Sequence, residues 1–221
     1  MMPAPFCDHG PVTNSAPTAT DRAERPRLAD LGAGLVVVGV LLALMWAEEI
    51  VDLLPGTNFD RWGVRPRRVS GLVGIVLAPF LHTGFGHLIA NTIPFAVLGG
   101  AIAFGDSKRF VEVTLAVGAI SGLGIWVFGA GNSVHIGASG LVFGYLTYLV
   151  ARGVFARNLW WIVGAAAVLA FYGWMFWGLL PTPRVSWLGH VFGALGGVAA
   201  AWMIHSDHDT PDDPVRTVAP E

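Results

Sequence analysis

Residues 129–151 read GAGNSVHIGASGLVFGYLTYLVA, and this stretch decides how the chain can fold. It joins a glycine-rich polar segment to an apolar run that starts at Ile136 and ends at Ala151. The run is short, because a helix needs about 20 residues to cross a bilayer. Irregular backbone at membrane depth is tolerated only where protein buries it or a wet cavity lies beside it. The stretch therefore predicts a helix that begins below the membrane surface, at the floor of a polar cavity.

The composition of the whole chain is that of a membrane protein. Of its 221 residues, 54% are hydrophobic and 13% are charged, and the mean hydropathy is +0.61. A soluble domain carries about 25% charged residues, so a soluble globular enzyme is excluded. The net charge of −2 and the lack of a basic stripe disfavour nucleic-acid binding. A single cysteine, Cys7, excludes a disulfide framework and cysteine-rich metal centres.

Six apolar runs predict the architecture, which is an all-α bundle of six transmembrane helices with a polar cavity open to the outer face. The runs cover residues 31–51, 83–104, 110–130, 136–151, 159–180 and 187–204. We expect this membrane domain, residues 31–204, to lie between two disordered tails. The first tail, residues 1–30, is rich in Pro, Thr and charge, and the second, residues 205–221, is acidic.

The orientation follows from the short loops, because Lys and Arg are more frequent on the cytoplasmic side. The side that carries both tails holds more of these residues, so we expect cytoplasmic tails and a multi-pass protein of a bacterial plasma membrane. The first outer loop, residues 52–82, is basic and half apolar. It is typical of an amphipathic hairpin that lies in the interface, with its arginines on lipid phosphates.

Four polar residues within the spans are the candidates for function, because polar groups in a membrane are costly to bury. His87 and Asn91 lie near the start of the second span, Ser139 near the start of the fourth and His190 near the start of the sixth. These three spans all run from the outer face to the inner face. The four residues are therefore expected at one depth, near the outer face.

Two stripes of small residues indicate how the fourth and sixth spans pack, since such stripes let helix backbones approach closely. They are Gly140-x3-Gly144 and Gly189-x3-Gly193-x3-Gly197. Packing through these stripes would bring Ser139 beside His190. A hydroxyl next to an imidazole is the nucleophile–base pair of acyl transfer.

Two purely structural interpretations compete with the catalytic one. Ser139 can serve helix packing or bond back to a carbonyl, and His190 can be a satisfied buried hydrogen-bonding group. A metal site is not expected, because His82 and His87 do not share a helix face and no carboxylate or thiolate accompanies them. We expect His82 and His135 to be polar loop residues that hold water at the mouth of the cavity.

Three motifs together resemble the rhomboid family of intramembrane serine proteases. They are PFLHTGFGHLIAN at residues 79–91, GASG at residues 137–140 and GHVFGALGG at residues 189–197. They occur in the order of the family, on its second, fourth and sixth helices, and the resemblance covers about residues 52–200. More loosely, WGVR at residues 62–65 resembles the start of the family's first outer loop.

The resemblance implies a serine endopeptidase that works without a cofactor or metal. Ser139 would be the nucleophile and His190 the general base and then the acid, as a dyad without a carboxylate. His87, Asn91 and the backbone N–H of Ser139 would form the oxyanion hole. The glycines of the motifs, Gly137, Gly140 and Gly193, would support the site. Phe143 stands where members of the family often have a tyrosine that stacks on the histidine.

The substrates that the resemblance implies are membrane proteins cut in or near a transmembrane helix weakened by small or helix-breaking residues. A gate at the fifth span, at Phe171, Trp174, Phe176 and Trp177, is one hypothesis for substrate access. The alternatives are a non-catalytic rhomboid-like protein that binds transmembrane helices, and a small channel or transporter that uses the same cavity.

Overall fold

The computed structural model describes residues 28–155, 159–182 and 185–206. Cys7 and nearly all of both predicted tails lie outside these residues. The first helix, α1, begins at Leu28, three residues before the predicted start of the membrane domain.

The described chain is mostly helical. The α-helices are α1 Leu28–Asp52, α2 Gly74–Leu77, α3 Phe85–Pro94, α4 Gly100–Gly105, α5 Ser107–Phe128, α6 Ser139–Phe155, α7 Leu159–Tyr172 and α8 Trp187–Ser206. A π-helical turn, Phe95–Gly99, joins α3 to α4, and a 3₁₀ segment, Gly173–Leu179, continues α7. The described residues contain no strand, and their one β-bridge pairs Val64 with His135.

Five helical stretches are long and apolar enough to cross a membrane, which agrees with the predicted multi-pass membrane protein. They are Gly32–Asp52, Phe85–Phe104, Ser107–Phe128, Ile162–Leu179 and Trp187–Ile204. The sixth apolar helix, α6, has 17 residues and is shorter, as its sequence indicated. The count of six spans and the outward opening of the cavity stay predictions.

Helix α6 lies at the centre of the molecule and packs on α5, α7 and α8. Every residue from Gly140 to Leu149 is buried, including the bulky Tyr145 and Tyr148. The Tyr145 hydroxyl lies 2.9 Å from Thr114 Oγ1 of α5, so its polar atom has a partner. A central helix of this kind can be short because other helices, rather than lipid, surround it.

The packing that the glycine stripes predict is found between α6 and α8. A Cβ atom at Gly193 would overlap the carbonyl oxygen of Gly140, and one at Gly197 would overlap that of Gly144. The two backbones therefore touch without intervening side chains. Thr147 Oγ1 adds a hydrogen bond to the carbonyl oxygen of Ala194, at 2.8 Å.

The long loop after α1, residues 53–73, is tied to the end of α5 and to the loop before α6. Val64 and His135 exchange two backbone hydrogen bonds of 2.9 and 3.0 Å. Arg67, with a φ of 56°, donates its guanidinium Nη1 to the carbonyl oxygens of Val127 and Gly129, at 3.0 and 2.7 Å. These bonds satisfy carbonyls that the end of α5 leaves free. They also fix the loop as a wall beside the start of α6.

Replacing Gly193 with Ala should destabilise the protein by about 1–3 kcal/mol, because the new methyl group must push α8 off the Gly140 carbonyl. The measurement is the midpoint of thermal unfolding in detergent. Gly164→Ala in α7 is the matched control, since a Cβ atom there meets nothing within 4 Å. The control should keep or raise the midpoint, as alanine favours helix over glycine. Equal midpoints for the two variants would contradict backbone contact between α6 and α8.

Candidate active site

The structure brings Ser139 and His190 into hydrogen-bonding contact. Ser139 is the first residue of α6, and His190 lies one turn into α8. The distance from Ser139 Oγ to His190 Nε2 is 2.8 Å. The close approach of α6 and α8 at Gly140 and Gly193 sets this distance, because Gly140 directly follows Ser139 and Gly193 lies one turn after His190.

A main-chain carbonyl fixes the proton on the far side of the His190 ring. His190 Nδ1 lies 2.7 Å from the carbonyl oxygen of Gly178, in the 3₁₀ segment after α7. A carbonyl oxygen can only accept, so in the neutral ring Nδ1 carries the hydrogen and Nε2 carries the lone pair. Nε2 is therefore ready to accept the hydroxyl proton of Ser139. The carbonyl holds the tautomer that a carboxylate holds in a Ser-His-Asp triad.

Aromatic packing fixes the plane of the same ring. Phe143, one turn after Ser139 in α6, stacks on His190 with ring centroids 4.3 Å apart and an angle of 12° between the planes. Gly178 packs against the edges of both rings. A Cβ atom there would lie 2.9 Å from Phe143 Cζ and 3.3 Å from His190 Nδ1. The imidazole is thus held by two hydrogen bonds and one stacked face.

His87 and Asn91 line the same cavity as Ser139. Asn91 is buried, and its Nδ2 donates to the carbonyl oxygen of His87 at 2.9 Å. An amide nitrogen has two hydrogens, so one donor remains for a ligand. The Gly137 backbone, with a φ of +108°, packs against the His87 ring, since a Cβ atom there would lie 2.9 Å from Nε2. Two side chains that can donate hydrogen bonds therefore line the cavity that contains Ser139.

The cavity has a volume of about 1030 Å³ and two unlike walls. One wall is apolar and comes from α3, α6 and the segment after α7. It includes Pro94, Val142, Phe143, Trp174, Met175 and Trp177. The other wall is polar and comes from the loops before α2, α6 and α8. It includes Asp60, Arg61, Arg65, Ser133, His135 and Ser186.

A second serine–histidine chain lines the polar wall. His135 Nδ1 lies 2.7 Å from Ser186 Oγ, and His135 Nε2 lies 2.8 Å from Ser133 Oγ. Ser133 donates its own hydrogen to the carbonyl oxygen of Ala130 at 2.6 Å, so it accepts from His135. Burial lowers the pKa of His135, which keeps the ring neutral. His135 is thus a polar residue at the cavity, as expected. Its hydrogen bonds to Ser133 and Ser186 also tie the loop before α6 to the start of α8.

The expectation for His82 is wrong. This side chain is only 2% exposed and does not lie at the cavity mouth. Its Nδ1 donates to the carbonyl oxygen of Phe80 at 3.1 Å, and its ring meets that of His87 edge-on at 5.1 Å. Burial and the neighbouring His87 lower the pKa of His82 to about 4, so it is neutral. The loop before α3 turns inward because its apolar neighbours, Ala78 and Leu81, are buried as well.

The sequence did not reveal two parts of the site. One is the Gly178 carbonyl. Every residue has a main-chain carbonyl, so the residue type does not reveal which of them binds the histidine. The other is Ser186, whose position four residues before His190 in the sequence was the available signal. In residues 28–155, 159–182 and 185–206, no three His, Cys, Asp or Glu side chains are grouped to hold a metal ion.

Comparison with known proteins identifies the family of the chain. Residues 69–207 match the family described as the Rhomboid domain. The chain is 39% identical to the uncharacterized protein Rv1337 of Mycobacterium tuberculosis, over 84% of this chain and 80% of that protein. It is 39% identical to the uncharacterized protein ML1171 of Mycobacterium leprae, over 77% of this chain and 71% of that protein. It is 25% identical to YdcA of Bacillus subtilis, a protein provisionally named a rhomboid protease, over 76% of this chain and 87% of that protein.

Replacing Gly137 with Ala should slow the reaction of Ser139 with a fluorophosphonate by about 100-fold, because a displaced donor impairs catalysis on this scale. A side chain strains the backbone at a φ of +108°, and its Cβ atom would lie 2.7 Å from His87 Cε1. The measurement is the rate of covalent labelling in detergent. Gly86→Ala, next to His87 but with nothing within 4 Å, should label at the wild-type rate. Wild-type labelling by Gly137→Ala would argue against this contact.

Proposed function

The chain belongs to the rhomboid family, and we propose that it is a serine endopeptidase that cleaves transmembrane segments of membrane proteins. One observation carries the proposal. Ser139 Oγ lies 2.8 Å from His190 Nε2. This nitrogen carries the lone pair of the neutral ring, because Nδ1 donates its hydrogen to the Gly178 carbonyl. This is the geometry of an activated nucleophile and its base, on the wall of a cavity large enough for a peptide.

The proposed reaction begins with acylation. His190 Nε2 takes the hydroxyl proton as Ser139 Oγ attacks the scissile carbonyl carbon. The negative charge that forms on the carbonyl oxygen is held by His87, by the free Nδ2 hydrogen of Asn91 and by the Ser139 backbone N–H. His190 then gives its proton to the leaving nitrogen as the C–N bond breaks. The amine product departs, and an ester remains on Ser139.

Deacylation repeats the sequence with water. His190 Nε2 takes a proton from water as the water oxygen attacks the ester carbon, and the same donors hold the oxyanion. The proton then returns to Ser139 Oγ as the ester bond breaks, which releases the carboxyl product. The Gly178 carbonyl supports both steps, because its dipole stabilises the charged imidazolium through Nδ1–H.

The apolar wall supports a substrate that comes from the membrane. Trp174 and Trp177 are 70% and 76% exposed and also line the cavity, so its side at the end of α7 is open to apolar partners. Helix α7 packs chiefly on α6, which leaves this side the least enclosed. A helical segment must unwind locally before cleavage, because its carbonyls are hydrogen-bonded in the helix. Helix-breaking residues such as Gly or Pro near the scissile bond lower that cost.

Ser139→Ala and His190→Ala should each reduce cleavage of a single-span substrate in liposomes by at least about 10³-fold, since each removes a reacting group. Ser107→Ala is the matched control, because this serine begins α5 away from the cavity. Full cleavage by either site variant would disprove the dyad. A wild-type protein that neither cleaves nor labels with a fluorophosphonate would support the non-catalytic alternative.

Asn91→Ala should lower turnover by about 10²–10³-fold, which is the cost of losing one oxyanion donor. The measurement is kcat for the same substrate in liposomes. The unfolding midpoint serves as the companion measurement, because Asn91 is buried and its loss could act through the fold. Unchanged kcat in a folded variant would remove Asn91 from the oxyanion hole.

A further inference from the structure

Arg65 is a charged side chain in the cavity, and no group in the described part of the chain neutralises it. It lines the polar wall, in the same cavity as Ser139. Among the residues that the structure describes, its guanidinium makes no hydrogen bond or ion pair, and its Nε atom is buried without a partner. The side chain as a whole is half-buried, and its Nε–H is shielded from water without an acceptor. Leaving a buried donor unsatisfied is costly, so an acceptor on a ligand in the cavity would be bound favourably here.

The neighbours of Arg65 leave this wall cationic. Arg61 also lines the cavity, and its guanidinium lies over the Trp62 ring at 5.8 Å without an ion pair. Asp60 is the one acid among the lining residues. Burial and the charge of Asp52 raise the pKa of Asp60, and its carboxylate forms no ion pair with either arginine. His135, on the same wall, is neutral for the reason given above.

Two other arginines of the same loop, Arg67 and Arg68, have different surroundings from Arg65. The guanidinium of Arg67 is bound to the end of α5, as described above. Arg68 is exposed and lies outside the cavity lining. Lipid phosphates can reach exposed arginines of an interfacial loop. Arg65 instead has a buried Nε atom and shares its space with the proposed nucleophile, so its partner is expected inside the cavity.

We propose that Arg65, with Arg61 beside it, binds an acidic side chain of the substrate near the scissile bond. The preferred substrates are then transmembrane segments that carry an Asp or Glu where the apolar stretch ends. The guanidinium fork matches the two oxygens of a carboxylate and binds them with two parallel hydrogen bonds. The apolar wall opposite takes the rest of the segment. This inference rests on the proposed function and names its substrate class.

The test uses single-span substrates that differ only near the cleavage site, where each position in turn carries Asp, Asn or Lys. Cleavage in liposomes gives kcat/KM for each. At one position wild type should prefer Asp over Asn by about 10-fold or more, the scale of a hydrogen bond to a charged group. Arg65→Glu should reverse the order at that position, so that the Lys substrate is cleaved best. Arg65→Lys should keep the preference for Asp in weaker form.

Arg68→Glu is the matched control, because it makes the same charge change on the same loop outside the cavity. It should keep the wild-type order of substrates. A structural effect of Arg65→Glu would slow fluorophosphonate labelling of Ser139 and lower cleavage of all substrates alike, whereas a lost subsite changes their order. The substrate series in wild type needs no variant, so misfolding of Arg65→Glu leaves the inference testable.

Three outcomes would overturn the inference. Wild type could cleave the Asp, Asn and Lys substrates equally at every position. Arg65→Glu could label normally and still prefer Asp. The effect of Arg65→Glu could follow the content of anionic lipid in the vesicles and ignore the substrate residue, which would assign Arg65 to lipid phosphate. In contrast, wild type that neither labels nor cleaves any substrate would refute the proposed function itself.

Discussion

Backbone contact between α6 and α8 is the constraint on which the rest of the structure depends. Gly193 lies against the Gly140 carbonyl and Gly197 against the Gly144 carbonyl, with no room for a β-carbon. Lipid gives helices no hydrophobic reason to associate, so close van der Waals contact must hold them. The hydrogen bond from Ser139 to His190 tolerates only a few tenths of an ångström. Two helices separated by side chains would not keep this distance.

The second constraint is that a carbonyl oxygen, rather than a carboxylate, orients His190. A carboxylate in this position would bring a charge into an apolar bundle, where it needs more than one partner to be stable. The Gly178 carbonyl fixes the same tautomer as a neutral dipole. Phe143 then adds a stacked face that needs no hydrogen bond of its own. The site thus contains the polar pair of Ser139 and His190 with little uncompensated charge next to it. Arg65 is the exception to this pattern.

The loops give the cavity its polar side, and they are themselves held by hydrogen bonds. Val64 and His135 join two loops by their backbones, and Arg67 binds the end of α5. The His135 side chain continues this chain of contacts to Ser186 at the start of α8. A polar cavity beside apolar helices requires such ties, because unpaired backbone groups at that depth are costly.

Much of the fold and of the candidate site was determined by the sequence alone. Hydropathy located the long helices to within a few residues, because burial in lipid selects apolar runs of fixed length. The few polar residues in those runs, Ser139 and His190 among them, marked the cavity, and the glycine spacing indicated which helices touch. Only the tertiary structure decided that Gly178 orients His190, that His82 is buried and that Arg65 has no partner among the described residues. These facts depend on main-chain atoms and on loops distant in sequence, where residue type does not reveal which groups meet.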